Sequence, residues 1–89
     1  MNLSVQDVDG SIMIVSQFTL CANVKKGNRP SYIDAMPINE ARNVYNSFLN
    51  YMNEQYSKIK SGIFQADMEV KLVNDGPVTI SIRSKNWVK

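Results

Sequence analysis

The stretch "VNDGPVT", residues 73–79, joins two segments in which apolar and polar side chains alternate. Asp67–Val73 precedes it and Val78–Ile82 follows it, and such alternation is typical of strands that have one face covered. Asn, Asp and Gly are typical of a tight hairpin turn, but the proline that follows cannot donate a hydrogen bond to either strand. We therefore predict two antiparallel strands joined by a turn whose proline needs a separate explanation.

Upstream of this hairpin the same reasoning predicts one helix and three more strands. The helix begins at Pro37, ends near residues 55–57, and carries on one face Ala41, Val44, Tyr45, Phe48, Leu49 and Met52. The remaining predicted elements are a strand at Leu3–Val8, a hairpin turn at Asp9-Gly10, a strand at Ser11–Leu20, a loop over residues 21–36 and a strand at Lys58–Phe64. The order β-β-α-β-β-β predicts one α+β domain over residues 1–89, dominated by antiparallel pairing.

The composition excludes several classes of site. The chain has 89 residues, a formal charge of +2 and no histidine. Without histidine there is no Ser-His-Asp or Cys-His arrangement, and most zinc sites are excluded too, because the single cysteine, Cys21, cannot compensate. One cysteine also indicates a reducing, cytoplasmic setting. No apolar run approaches the roughly 18 residues of a membrane span, and the N-terminal residues do not resemble a signal peptide.

Two polar segments are candidates for function, and residue chemistry alone leaves both open. "SQFTL", residues 16–20, ends the most apolar predicted strand in hydrogen-bonding side chains. "VKKGNRPS", residues 24–31, places Lys25, Lys26 and Arg29 around a glycine, which suits contacts with phosphates. Residue chemistry by itself favours hydroxyls satisfied by backbone for the first segment and an ordinary solvated loop for the second. Cys21 is interpreted as a small apolar residue rather than a nucleophile.

Taken together, these segments resemble the D-aminoacyl-tRNA deacylases of the D-tyrosyl-tRNA deacylase type. The resemblance rests on "MNLSV", "SQFTL", "KKGNRPS" and "FQADMEVKLVNDGPVT", and it covers about residues 1–84. It implies hydrolysis of the ester that joins a D-amino acid, or glycine mischarged on tRNA-Ala, to the 3′ end of tRNA. It further implies a cytoplasmic homodimer with active sites at the subunit interface, no metal or other cofactor, and an antiparallel barrel-like sheet with one main amphipathic helix.

The resemblance also implies roles for individual residues. It places the reaction at Gln17, Phe18, Thr19 and Thr79. It places substrate binding at Ser16, Met68, Asn74, Gly76 and Pro77. The three loop cations are expected to contact tRNA. A threonine nucleophile, Thr19 or Thr79, is the alternative, but because the chain has no histidine to activate it, we expect backbone groups and the 2′-hydroxyl of the tRNA to perform the proton transfers.

The family resemblance explains the proline as well. It predicts a cis Gly76-Pro77 bond, although only about 5–6% of X-Pro bonds in folded proteins are cis. Glycine before it allows the backbone to approach a ligand closely, and a rigid bend placed there rejects L-amino acids by collision.

One departure from the family pattern qualifies these expectations. Family members extend upstream of the segment that resembles "MNLSV", so we expect the fold to be incomplete at its N-terminus. The alternative to an active deacylase is therefore a truncated, non-catalytic relative that binds tRNA or folds only with a partner.

Overall fold

The computed structural model describes residues 2–84, which form a small α+β unit. Its elements are strand β1 (Ile12–Ile14), a 3-10 helix (Phe18–Cys21), helix α1 (Ile38–Gln55) and strand β2 (Ile59–Ser61). One helix therefore connects two strands. The predicted helix and its end near residue 55 are confirmed, and Pro37 precedes the first turn as its N-cap residue.

β1 and β2 are parallel neighbours, with Ile12 opposite Ile59 and Ile14 opposite Ser61. The ladder is extended at both ends, because the Ile12 amide donates to the Lys58 carbonyl and the Gly62 amide donates to the Ile14 carbonyl, each at 2.9 Å. The prediction of antiparallel pairing is wrong for this pair. A long connection that contains a helix can carry the chain back so that the second strand runs parallel to the first. A two-residue turn reverses the chain and gives an antiparallel pair.

Residues 5–9 form a turn and no strand lies between residues 2 and 11, so the predicted first strand and its Asp9-Gly10 hairpin are wrong. The Ser4 amide donates to the Asp7 carboxylate at 2.8 Å, and the Asp7 amide donates to the Ser4 hydroxyl at 3.1 Å. The hydrogen bond from the Ser4 backbone to this carboxylate, with a smaller contribution from the Ser4 side chain, holds the pKa of Asp7 below its usual 3.8. Short polar side chains that bond to nearby backbone favour such turns over strands.

The other predicted strands are shortened or unpaired within residues 2–84. Ser11–Leu20 is a strand only over β1 and then turns into the 3-10 helix, while Lys58–Phe64 is a strand only over β2. Asp67–Val73 and Val78–Ile82 form no ladder with any described segment. A strand is defined by its partner's hydrogen bonds, so alternation alone does not produce one.

Packing in the described part of the chain is correspondingly open. No residue in 2–84 is fully buried, and apolar side chains of the last two segments remain in solvent, with Val73 92% and Ile82 88% exposed. The partly buried helix face consists of Ala41, Tyr45, Leu49 and Met52. No helix among these residues has the length and apolar character needed to cross a bilayer.

Two tyrosines attach α1 to the two strands. The Tyr45 hydroxyl donates to the Gly62 carbonyl, just after β2, at 2.9 Å and lies 3.3 Å from the carbonyl of Ile14, the last residue of β1. At the C-terminal end of the helix, the Tyr56 hydroxyl donates to the Gly10 carbonyl. An ion pair between Lys58 and Asp9 at 2.8 Å lies beside that contact. The middle of the helix and its C-terminal end are therefore bonded to backbone at or near opposite ends of the two-stranded sheet.

Replacing Tyr45 by phenylalanine should lower the free energy of unfolding by about 1 kcal/mol, because a partly buried carbonyl loses its donor. Urea denaturation monitored by circular dichroism measures the change. Tyr51→Phe is the matched control, since Tyr51 lies on the same helix and is 58% exposed. Equal effects of the two substitutions would contradict the role assigned to the Tyr45 hydroxyl.

Candidate functional site

A cavity of about 660 Å³ lies where the chain leaves β1 and β2 and where α1 begins. This location follows from the parallel pairing, which places both strand ends and the helix N-terminus at one edge. Crevices at the carboxyl ends of parallel strands are common ligand sites. The lining residues come from three segments: Val15, Ser16, Gln17 and Phe18; Tyr32, Ala35, Met36, Pro37, Ile38 and Ala41; and Phe64, Gln65, Ala66, Asp67, Met68 and Val70.

Aromatic rings form much of the apolar wall. Phe18 and Tyr32 pack edge to face with their centroids 4.9 Å apart, and Phe64 lies 5.8 Å from the ring of Tyr45. Edge-to-face and tilted pairs at these distances are favourable and fix the ring orientations. The cavity thus presents flat apolar surfaces that suit a planar ring or an apolar side chain.

Polar groups lie at a few positions around this apolar surface. Ser16 ends the segment after β1, and Gln17 serves as the N-cap residue of the 3-10 helix with an extended backbone. The Gln17 side-chain amide donates to the Thr19 hydroxyl. This bond orients the Gln17 amide at the cavity, while Thr19 itself does not line it. Apolar walls with a small number of placed polar groups are typical of small-molecule sites.

The structure brings four of the predicted site residues into this cavity: Ser16, Gln17, Phe18 and Met68. The residues of the second motif lie elsewhere. Asn74, Gly76, Pro77 and Thr79 are exposed, and none of them lines the cavity of its own chain. The predicted cis Gly76-Pro77 bond is confirmed. The roles of Asn74, Gly76, Pro77 and Thr79 in a reaction remain predictions.

The predicted loop is confirmed, and a β-bridge closes it. The Asn23 and Ser31 backbones exchange hydrogen bonds of 2.7 and 2.8 Å, and the Lys25 amide donates to the Asn23 side chain at 2.9 Å. Lys25 and Lys26 border a shallow depression of about 270 Å³. Arg29 is exposed on the same loop but does not border the depression. The β-bridge between Asn23 and Ser31 therefore closes a loop whose cationic side chains are exposed to solvent.

Sequence reasoning missed several residues of the site, notably Tyr32, Phe64, Gln65 and Asp67. Tyr32 lies in a loop where no periodicity marks it. Gln65 adopts a left-handed backbone with φ of 64°, which glutamine gives no reason to expect. Across residues 2–84 there is no group of three or more His, Cys, Asp or Glu side chains able to hold a metal ion.

Comparison with known proteins identifies the family of this chain. The family described as D-Tyr-tRNA(Tyr) deacylase matches residues 1–83. The chain belongs to this family. The resemblance inferred from its motifs is therefore confirmed.

Individual relatives agree with the family assignment. The chain is 58% identical to a D-aminoacyl-tRNA deacylase of Flavobacterium johnsoniae over 97% of its own length and 58% of the relative. It is 51% identical to a D-aminoacyl-tRNA deacylase of Carboxydothermus hydrogenoformans over 91% of its length and 56% of that relative. The solved structure of a protein titled c-Myc DNA Unwinding Element Binding Protein superposes with a TM-score of 0.79 at 48% identity. That match covers 91% of this chain and 55% of the other. The chain thus spans a little more than half the length of these deacylases.

Gly62 determines where Met68 lies in the cavity wall. A β-carbon at residue 62 would lie 2.6 Å from the Met68 sulfur and 3.2 Å from its methyl carbon. Gly62→Ala should displace Met68 and lower the free energy of unfolding by less than about 1 kcal/mol, because methionine adapts readily.

The ¹³C-methyl NMR signal of Met68 measures this displacement. The methyl signals of Met13 and Met52, which do not line the cavity, serve as internal references. Ser47→Ala, an exposed change on α1 at a residue that does not line the cavity, is the control variant. An unchanged Met68 signal in Gly62→Ala would contradict the predicted contact.

Proposed function

We propose that this chain carries the substrate-binding part of a D-aminoacyl-tRNA deacylase, and that the cavity beside β1 and β2 receives the aminoacylated 3′ end of tRNA. The observation that carries the proposal is the convergence of Ser16, Gln17, Phe18 and Met68 on one cavity in a chain of this family. Aromatic walls and a few polar groups fit a base with an attached aminoacyl group.

The proposed reaction is ester hydrolysis. Water adds to the ester carbonyl, the bond to the 3′-oxygen of the tRNA breaks, and that oxygen takes a proton. Free D-amino acid and tRNA are released. Gln17 and the backbone at Phe18 orient the carbonyl, because directed donors stabilise the charge that develops on its oxygen. With no histidine in the chain, the 2′-hydroxyl of the tRNA assists the proton transfer.

Thr19 and Thr79 support the site by hydrogen bonding and do not attack the ester. The hydrogen bond from Gln17 to the Thr19 hydroxyl favours this role, because it engages Thr19 in orienting a neighbour. A threonine hydroxyl without an adjacent base is also a poor nucleophile at neutral pH.

We assign the second motif to the site of a partner subunit. Asn74, Gly76, Pro77 and Thr79 are exposed and do not line their own cavity, which fits a homodimer in which they reach across the interface. There the Gly76-Pro77 bend rejects the side chain of an L-amino acid by collision. Glycine lacks that side chain, so glycyl-tRNA-Ala is accepted with the D-aminoacyl substrates.

The wider setting follows from the same assignment. We place the protein in the cytoplasm, with tRNA as substrate and without a cofactor. Residues 1–89 act as a single domain that contributes to an antiparallel barrel-like sheet once further strands are supplied. Exposed alternating side chains in Asp67–Val73 and Val78–Ile82 support this, since both segments present unpaired edges.

A second candidate is a non-catalytic relative that binds tRNA or folds only with a partner. The observation in its favour is that no residue in the described part of the chain is fully buried. A chain with so little core depends on added surface for stability.

Release of D-tyrosine from D-Tyr-tRNA tests the proposed activity, with L-Tyr-tRNA as the control substrate. Gln17→Ala should slow release by about tenfold or more, the effect of removing one hydrogen bond to the reacting group. Gln55→Ala, at the far end of α1, is the matched control. Pro77→Ala should raise the hydrolysis of L-Tyr-tRNA relative to D-Tyr-tRNA, because the rigid ring is removed.

Three results would count against the proposal. Binding of D-Tyr-tRNA without release would favour the non-catalytic relative. An aminoacyl ester trapped on Thr19 or Thr79 would overturn the assigned mechanism. Unchanged selectivity in an active Pro77→Ala variant would remove the bend from chiral discrimination.

The loop closed by Asn23 and Ser31 should contact tRNA phosphates. Reversing the charges of Lys25 and Lys26 should weaken tRNA binding and flatten its dependence on salt, by about 0.9 in logarithmic slope for each duplex phosphate that the loop no longer neutralises. Filter binding across a series of salt concentrations measures the slope. Lys60→Glu combined with Lys71→Glu makes the same change in net charge on other exposed positions. Equal slopes for the two double variants would remove the loop from the RNA interface.

A further inference from the structure

The cavity wall that follows β2 begins with an unusual turn. The Ala66 amide donates to the Ile63 carbonyl at 3.2 Å, which closes a four-residue turn. Its third residue, Gln65, has φ of 64°. Glycine or asparagine normally takes this position, because a β-carbon disfavours the left-handed region. Something besides backbone preference must therefore hold Gln65 in this conformation.

Arg42, in the second turn of α1, makes the contacts that stabilise this conformation of Gln65. Its Nη2 donates to the Gln65 side-chain oxygen at 2.5 Å, and its Nη1 donates to the Asn39 side chain at 3.3 Å. The guanidinium carbon lies 5.4 Å from the centre of the Phe64 ring. A planar guanidinium can donate from its edge while its face contacts an aromatic ring. Arg42 thus contacts two consecutive residues of the turn at once.

These contacts connect two walls of the cavity. The helix start contributes Ile38 and Ala41, and the turn opens the wall that runs from Phe64 to Met68. Arg42 itself does not line the cavity. Past Gly62 no backbone ladder joins the turn to β1 among the described residues. Side-chain contacts from α1 are therefore what position this wall.

We propose that Arg42 and Gln65 form a pin that positions the cavity wall of Phe64–Met68, with Arg42 and Gln65 acting as positioning residues for the ligand. The part that concerns the ligand rests on the proposed function of the cavity. The hydrogen bond between these residues depends on their side chains. Arg42→Ala removes its donor, and Gln65→Ala removes its acceptor while keeping the β-carbon. Gln65→Glu retains an acceptor for the guanidinium.

The position of the wall is tested first, without any ligand. The ¹³C-methyl signal of Met68 reports the position of the wall, because Met68 lines the cavity. Arg42 does not line the cavity, so a shift of this signal in Arg42→Ala reflects a displacement of the wall. Arg42→Ala and Gln65→Ala should shift this signal in the same direction, and the double variant should shift it no further. Gln65→Glu should keep the wild-type position. Asn46→Ala, an exposed change on the same helix, is the control. Additive shifts, or an Arg42→Ala spectrum like that of the control, would overturn the pin.

Binding is tested next with a non-hydrolysable probe, 3′-deoxy-3′-(D-tyrosylamino)adenosine. Each alanine variant should weaken its binding by roughly threefold to tenfold, and the double variant should be no weaker than either, as expected for two residues that act through one contact. Gln65→Glu should bind within about twofold of wild type. Full affinity in Arg42→Ala, with the methyl signal shifted, would overturn the positioning role.

Failure of the pin and failure of the proposed function give different results. If the wild-type chain does not bind the probe, the assignment of the cavity to the aminoacylated tRNA end fails. The pin is still confirmed or overturned by the methyl signals, since these require no ligand.

Discussion

Parallel pairing of β1 with β2 is the constraint on which the described structure depends. Three residue pairs form the ladder, from Ile12 with Ile59 to Ile14 with Ser61. Because α1 returns the chain between the two strands, both leave the sheet at the same edge and the helix begins there. The cavity lies at that edge, so the same pairing that organises the backbone also brings three distant segments into one site.

Hydrogen bonds from helix side chains secure this arrangement where the ladder is short. Tyr45 and Tyr56 bond to backbone carbonyls next to the two ends of the sheet, and Arg42 bonds to the turn after β2. Each uses a long side chain whose polar tip reaches beyond the helix surface. The geometry of the site therefore depends on a few specific contacts more than on a buried core, which residues 2–84 do not contain.

The two family motifs are separated in a way that bears on function. Residues of the first line the cavity, whereas Asn74 to Thr79 lie in solvent away from it. In the proposed homodimer, a site assembled from both motifs contains residues of a second copy of the chain. Under that proposal catalysis depends on assembly, and an interface would also cover apolar residues such as Val73 and Ile82 that are exposed in one chain.

The sequence by itself determined the family, the helix with its end near residues 55–57, the loop of cations and the cis bond at Pro77. These depend on local signals: helical periodicity, loop composition, and motifs whose order along the chain is specific. Tertiary structure alone decided the direction of β2 relative to β1, the replacement of the predicted first strand by a turn, and the entry of Tyr32 and Phe64 into the site. Strand direction depends on how a long connection packs, and a left-handed Gln65 depends on Arg42, which lies 23 residues earlier. Neither is encoded in neighbouring residues, because long-range contacts select among conformations that local preference leaves open.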